Sequence, residues 1–193
     1  MKNLFISMLM LLGMVAWCLP QTSAQEDSPA PATQKTKKTR KKSSAGLSPV
    51  AKALAEAGYF TETEARPKAK FYLFICSASW CGPCRALMPQ VVEEYETNMK
   101  KDKKVSMVLL GADRDEQAAR EYIAHYKTDM PGVLKKAVRL ENAPEMPGIP
   151  WCFILNAKGE LVSAGPGNKI LNWKEEIKKK PQRATPQRGK RKR

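Results

Sequence analysis

Two cysteines three positions apart, Cys81 and Cys84, enclose Gly82 and Pro83 in the stretch Trp80-Cys81-Gly82-Pro83-Cys84. An apolar run, Phe71 to Cys76, precedes this stretch, and a helix-like segment, Arg85 to Met99, follows it. Strand, tight turn, cysteine pair and helix form an arrangement that makes a thiol reactive. The first turn of a helix has unpaired backbone N–H groups and a partial positive charge, so a cysteine there ionises more easily. The thiolate is the nucleophile. A second cysteine one turn further on can attack the mixed disulfide that the first one forms. Half of a structural zinc site is the alternative use of such a pair, but that site takes four ligands. The chain's one histidine, His125, falls mid-helix, where a half-exposed helix residue is the simple reading. The expected chemistry is thiol–disulfide exchange with Cys81 attacking and Cys84 resolving, with no metal and no cofactor.

The flanking elements must hold this pair in place. Phe71 to Ile75 has no polar alternation, as in a strand buried on both faces. The helix Arg85 to Met99 should bury Leu87, Met88, Val91, Val92 and Tyr95. Pro89 inside it displaces one backbone hydrogen bond and should kink it. Val105 to Leu110 reads as a second buried strand. Asp113 to Lys127 reads as a second long helix, with Ala118, Ala119, Tyr122, Ile123 and Tyr126 at helical spacing. Strand, helix, strand, helix implies parallel pairing with right-handed crossovers.

Upstream, Ser48-Pro49 opens a short helix as N-cap and first-turn proline. Val50, Ala51, Leu54 and Ala55 form its apolar face and Gly58 ends it. Downstream, Thr128 to Pro147 is loop-rich, with room for a short helix around Leu134 to Val138. Trp151 to Asn156 is a third strand, Ala157-Lys158-Gly159 a hairpin turn, and Glu160 to Ala164 a fourth strand antiparallel to the third. Gly165-Pro166-Gly167 breaks it. Asn168 caps a final helix carrying Ile170, Leu171, Trp173 and Ile177, which Pro181 ends.

The 193 residues allow one domain of ordinary size plus tails, and a 42% hydrophobic content suits a globular core. The net charge of +15 is concentrated near the ends: Lys35–Lys42 and Lys178–Arg193 contain bases and no acids. Between Ser43 and Ile177, 18 Lys/Arg stand against 17 Asp/Glu. Residues 1–24 read as an export signal, with Lys2 at the positive end, an apolar stretch Leu4 to Leu19, and small residues Thr22-Ser23-Ala24 before the cut. The apolar stretch is short for a membrane span of about 20 residues, which leaves a retained anchor as the alternative. Residues 25–46 are poor in large apolar side chains and should be a disordered basic linker. The folded domain is expected over 47–180, and residues 181–193 as a disordered basic tail.

The motifs resemble those of the thioredoxin-fold family. Ser77-Ala78-Ser79-Trp80-Cys81-Gly82-Pro83-Cys84-Arg85 is similar to the family's active site, and Gly148-Ile149-Pro150 to its second signature, a proline with a cis peptide bond. The match runs from about Lys70 to about Lys179. Ser-Ala-Ser before the motif, Gly111-Ala112-Asp113-Arg114-Asp115 and Met130-Pro131-Gly132 resemble the exported branch of the TlpA and tryparedoxin/nucleoredoxin type. The resemblance implies an α/β fold with a central mixed sheet flanked by helices. It implies that Pro150 faces the cysteines and that Ile149 offers its carbonyl and N–H to an extended substrate. Gly-Pro between the cysteines goes with a reducing disulfide. Many relatives carry a buried aspartate six residues before the first cysteine, thought to move the proton of the second. Here Ile75 holds that place, so Cys84 must rely on water or another carboxylate.

The function so implied is an exported, periplasmic or envelope thiol-disulfide oxidoreductase that reduces protein disulfides and is reset by a membrane thiol relay. The rivals are a disulfide oxidant or peroxide-linked redox protein, and a non-catalytic binding module docked by its basic tails. Trp80 and Trp151 flank the site and could wall a groove for a partner, although Trp151 could equally pack in the core. Arg85 reads as a solvated helix residue. In the family fold the strands of Cys76 and Cys152 are antiparallel neighbours, so these two are either buried free thiols or a cross-strand disulfide. The tails lack the aromatics and fold signature of nucleic-acid binding. They either keep the protein soluble or adhere to an anionic envelope surface.

Overall fold

A computed structural model describes residues 46–181; the N-terminal apolar stretch, nearly all of the linker and most of the basic C-terminal tail lie outside the described residues. Five strands form one sheet: β1 (Phe71–Ser77), β2 (Val105–Gly111), β3 (Gly132–Leu134), β4 (Trp151–Asn156) and β5 (Leu161–Pro166), in the spatial order β3-β2-β1-β4-β5. β1 and β2 are parallel, as are β2 and β3, whereas β4 is antiparallel to both β1 and β5. The sheet is mixed and carries helices α1 (Pro49–Ala57), α2 (Gly82–Glu94), α3 (Glu116–His125) and α4 (Trp173–Glu176). Among the described residues, no helix is long and apolar enough to cross a membrane.

Alternation along β1 divides the core in two. Leu73 and Ile75 join the cluster containing Met88 and Val91 of α2 and Tyr122 and Ile123 of α3. Tyr72, Phe74 and Cys76 join the opposite cluster, with Val50 and Leu54 of α1. Strand side chains point to alternate faces, so each apolar run supplies both layers at once. Ser48 caps α1 by accepting from the Ala51 N–H at 3.1 Å, and Gly58 closes it at φ 77°. Ala55, expected on the buried face, is exposed.

α2 begins at Gly82, not Arg85, and passes into a π-helical turn over Tyr95–Met99. Pro89 has no N–H for the Arg85 carbonyl four residues back, and the Tyr126 hydroxyl donates to that carbonyl at 3.4 Å instead. α3 is shorter than its periodicity suggests, because Asp115 is its N-cap and accepts from the Ala118 N–H at 2.9 Å.

The segment expected to hold a helix around Leu134 instead forms edge strand β3. Three residues are too few to show a strand period, and their strand identity comes from pairing with Leu109–Gly111. Lys135 to Val138 make a single turn back to the Leu134 carbonyl. The C-terminal helix is also corrected: Gly167–Asn172 is 3-10 and α4 has only four residues. Side chains three apart eclipse in a 3-10 helix, which places Gly167, Ile170 and Trp173 on one buried line. Asn168 lies within this turn and is not its cap, and β5 runs on to Pro166.

Candidate active site

Register brings four chain segments to one end of the sheet. Ser77 pairs with Gly111, Gly111 with Leu134, and Cys76 with Trp151. Ala78, Ala112, Lys135 and Pro150 therefore leave the sheet together, at the carboxyl ends of the parallel strands where open α/β sheets place their sites. The Ala112 N–H donates to the Ser77 carbonyl at 2.8 Å and the Lys135 N–H to the Gly111 carbonyl at 2.9 Å.

Cys81 is the N-cap of α2, its backbone extended at φ −88° and ψ 106°. Its Sγ accepts from the Cys84 N–H at 3.2 Å. That donor is one of the orphans of the first turn, so sulfur occupies the place where a serine or aspartate oxygen usually sits. Cys81 and Cys84 form a disulfide with Cα atoms 5.2 Å apart. Cys84 is completely buried, whereas Cys81 keeps 6% of its surface. Only Cys81 can be reached from solvent.

The Ile149–Pro150 peptide bond is cis, and the Ile149 carbonyl oxygen lies 3.7 Å from Cys81 Sγ. Ala78, Cys81 and Cys84 form a small buried cluster against Ala112 and Ile149. In front lies an open groove of about 600 Å³, whose lining includes Trp80, Pro83, Lys135, Met146 and Ile149. Gly82 and Cys81 line it too, but Pro150 and Trp151 do not. Trp80 is 67% exposed. Trp151, which the sequence leaves between groove wall and core, packs against the cluster of Tyr72 and Phe74. Its indole N–H is buried without a protein partner.

Asp113, which the sequence placed at the start of a helix and in a motif resembling relatives but gave no role at the site, holds the active-site loop. It lies before α3 and is 6% exposed. Its Oδ1 accepts from both the Ser79 N–H, at 2.9 Å, and the Ser79 hydroxyl, at 2.7 Å. It thus ties the loop that carries Cys81 to the end of β2. Its Oδ2 is buried without a protein partner. Beneath the same loop the Ser77 and Tyr122 hydroxyls lie 2.7 Å apart, and burial pushes the Tyr122 hydroxyl well above the ordinary tyrosine range. Lys135 and Met146 had no signal in the sequence, because the loop-rich segment has no period to show which residues turn toward the site.

Cys76 and Cys152 are both free and buried. Cys152 pairs with Ile75, not Cys76, and belongs to the opposite core layer. A one-residue offset reverses the face of a strand side chain, which rules out the cross-strand disulfide. Burial raises both thiols, Cys152 to about 11. No group of three or more potential metal ligands gathers among the described residues.

Residues 69–161 match the family model described as thioredoxin-like. The chain therefore carries a thioredoxin-like domain over this segment. The sporulation thiol-disulfide oxidoreductase A of Bacillus subtilis is 26% identical over 180 residues, covering 91% of this chain and 98% of that protein. Nucleoredoxin of Xenopus laevis is 33% identical over 93 residues, 45% of this chain, but the chain spans only 22% of that longer protein. Tryparedoxin I from Leishmania major aligns structurally with a TM-score of 0.51 and 29% identity over 66% of this chain and 92% of that one. The Bacillus subtilis relative is named as a thiol-disulfide oxidoreductase, and this chain carries the cysteine pair that such exchange requires.

Proposed function

We propose that this protein is an exported thiol-disulfide oxidoreductase that reduces disulfides in partner proteins through Cys81 and Cys84. The observation that carries the reading is the asymmetry of the pair: a reachable sulfur at a helix N-terminus, bonded to a fully buried one. In the reduced form the Cys84 N–H and the partial charge of the helix end favour the Cys81 thiolate. Cys81 attacks one sulfur of the partner disulfide and the other leaves as a thiolate. Cys84 then attacks Cys81, closes the intramolecular disulfide and releases the reduced partner. Two electrons pass to the partner. A donor, taken here to be a membrane thiol relay, must return them.

Ile149 supports substrate binding by offering its carbonyl beside Cys81, and Trp80, Gly82 and Pro83 form the adjoining wall. Gly82-Pro83 favours the reducing direction. The reading keeps residues 1–24 as an export signal, 25–46 as a linker, 47–180 as the thioredoxin-like domain and 181–193 as a basic tail able to adhere to an anionic envelope surface.

Insulin reduction and the reduction potential of the pair test this. The expected potential lies near the thioredoxin value of about −270 mV, well below the oxidant value of about −120 mV. Cys81→Ser should abolish insulin reduction, and Cys84→Ser should trap mixed disulfides. Full activity in Cys81→Ser removes the mechanism, and a potential near the oxidant value removes the direction.

A further inference from the structure

The groove beside Cys81 has apolar walls of Trp80, Pro83, Ala112, Met146 and Ile149, and among the described residues Lys135 is the one charged side chain that lines it. Lys135 is exposed and takes part in no ion pair among the described residues. Its neighbour Lys136 is engaged elsewhere, donating to the Arg114 carbonyl at 2.7 Å. The charge of Lys135 also reaches the end of β1, where it opposes the rise that burial imposes on the Cys76 thiol. The position is fixed by the backbone, because Lys135 follows directly on β3 and its N–H is held by Gly111.

A cation beside an apolar wall attracts an anion more strongly than one surrounded by water, because the effective dielectric there is lower. A partner segment lying extended against Ile149 turns every second side chain to the same face. The side chains two places from its cysteine therefore enter the groove with it. We propose that the groove selects a disulfide-bearing segment of a partner protein with an acidic side chain two residues from the reacting cysteine, paired by Lys135. This rests on the oxidoreductase reading and assigns its substrate class. The chemistry is unchanged: the partner's disulfide gains two electrons and two protons, and the Cys81 and Cys84 thiols lose them as their disulfide closes.

The test is single-turnover reduction of symmetric peptide disulfides, X-Ala-Cys-Ala-X with blocked ends and X as Glu, Gln or Lys, by the pre-reduced full-length protein. The released peptide thiol is measured by mass after acid quenching. The basic ends of the chain favour acidic peptides in every variant alike, so the readout is the change in the Glu-to-Lys rate ratio. An exposed ion pair predicts a loss of roughly threefold in that ratio for Lys135→Gln and a further fall for Lys135→Glu. Lys158→Glu makes the same charge change in the turn after β4, at the other end of the sheet, and should leave the ratio near wild type. If the Lys135 variants match Lys158→Glu or wild type, the selection is overturned. If the wild-type protein reduces no peptide at all, the oxidoreductase reading fails instead.

Discussion

Gly167 lies against Pro150. A methyl group on the Gly167 α-carbon would meet the Pro150 Cβ at 2.7 Å, Leu87 Cδ2 at 2.8 Å and Ile75 Cδ1 at 3.2 Å. The Gly167 N–H also donates to the Pro150 carbonyl at 3.0 Å. The start of the 3-10 turn therefore backs the loop whose Ile149 carbonyl stands beside Cys81. Gly167→Ala should cost about 1–3 kcal/mol of stability by overpacking, read from urea unfolding. It should also slow disulfide reduction by displacing that loop. An unchanged unfolding midpoint would show that the neighbours yield freely.

Asp113 gives a graded pair of variants. Asp113→Ala removes the acceptor of two Ser79 donors and leaves a part-buried N–H unpaired, a loss of about 1–3 kcal/mol. Asp113→Asn retains the carbonyl oxygen that accepts those bonds and should cost less. Thermal unfolding of the two variants checks the order, and equal losses would mean that charge, not acceptance by Oδ1, holds the loop.

Cys152 links stability to pH. Its thiol has an ordinary value of 9.0 and is pushed up to about 11 in the fold by burial. The folded state therefore holds this proton more tightly than the unfolded chain does. That contribution is fully present below pH 9 and is lost as pH rises from about 9 to about 11, at up to about 2–3 kcal/mol. Tyrosines titrate nearby, so the measurement is the difference between wild type and Cys152→Ala in urea midpoint across this range. The wild type should fall more steeply, and parallel curves would refute the linkage.

Cys76 and Cys152 should resist iodoacetamide in the folded, oxidised protein and both react once it is unfolded. Peptide mapping without reduction should then find the Cys81–Cys84 bond intact and both Cys76 and Cys152 carboxamidomethylated. A peptide joining Cys76 to Cys152 would contradict their placement on opposite faces.

Local chemistry determined much of this protein. The apolar runs of β1, β2 and β4 have their strand character written in them, as does the α1 cap in Ser48-Pro49, because burial periodicity and capping involve only near neighbours. The same holds for Cys81 and Cys84, whose spacing carries its chemistry wherever a helix begins. Tertiary structure alone decided what depends on distant partners. β3 is a strand only because β2 lies beside it, and the 3-10 turn at Gly167 only because Ile170 and Trp173 must face one core. Register put Cys76 and Cys152 on opposite faces, a one-residue matter that no composition reveals. Folding also brought Lys135 and Met146 to the groove beside Cys81, from a loop without a period of its own, and tied Asp113 to Ser79 in the segment before Cys81. The sequence names the reactive sulfurs because their chemistry is local, whereas the groove that selects what they meet arises where four strand ends converge.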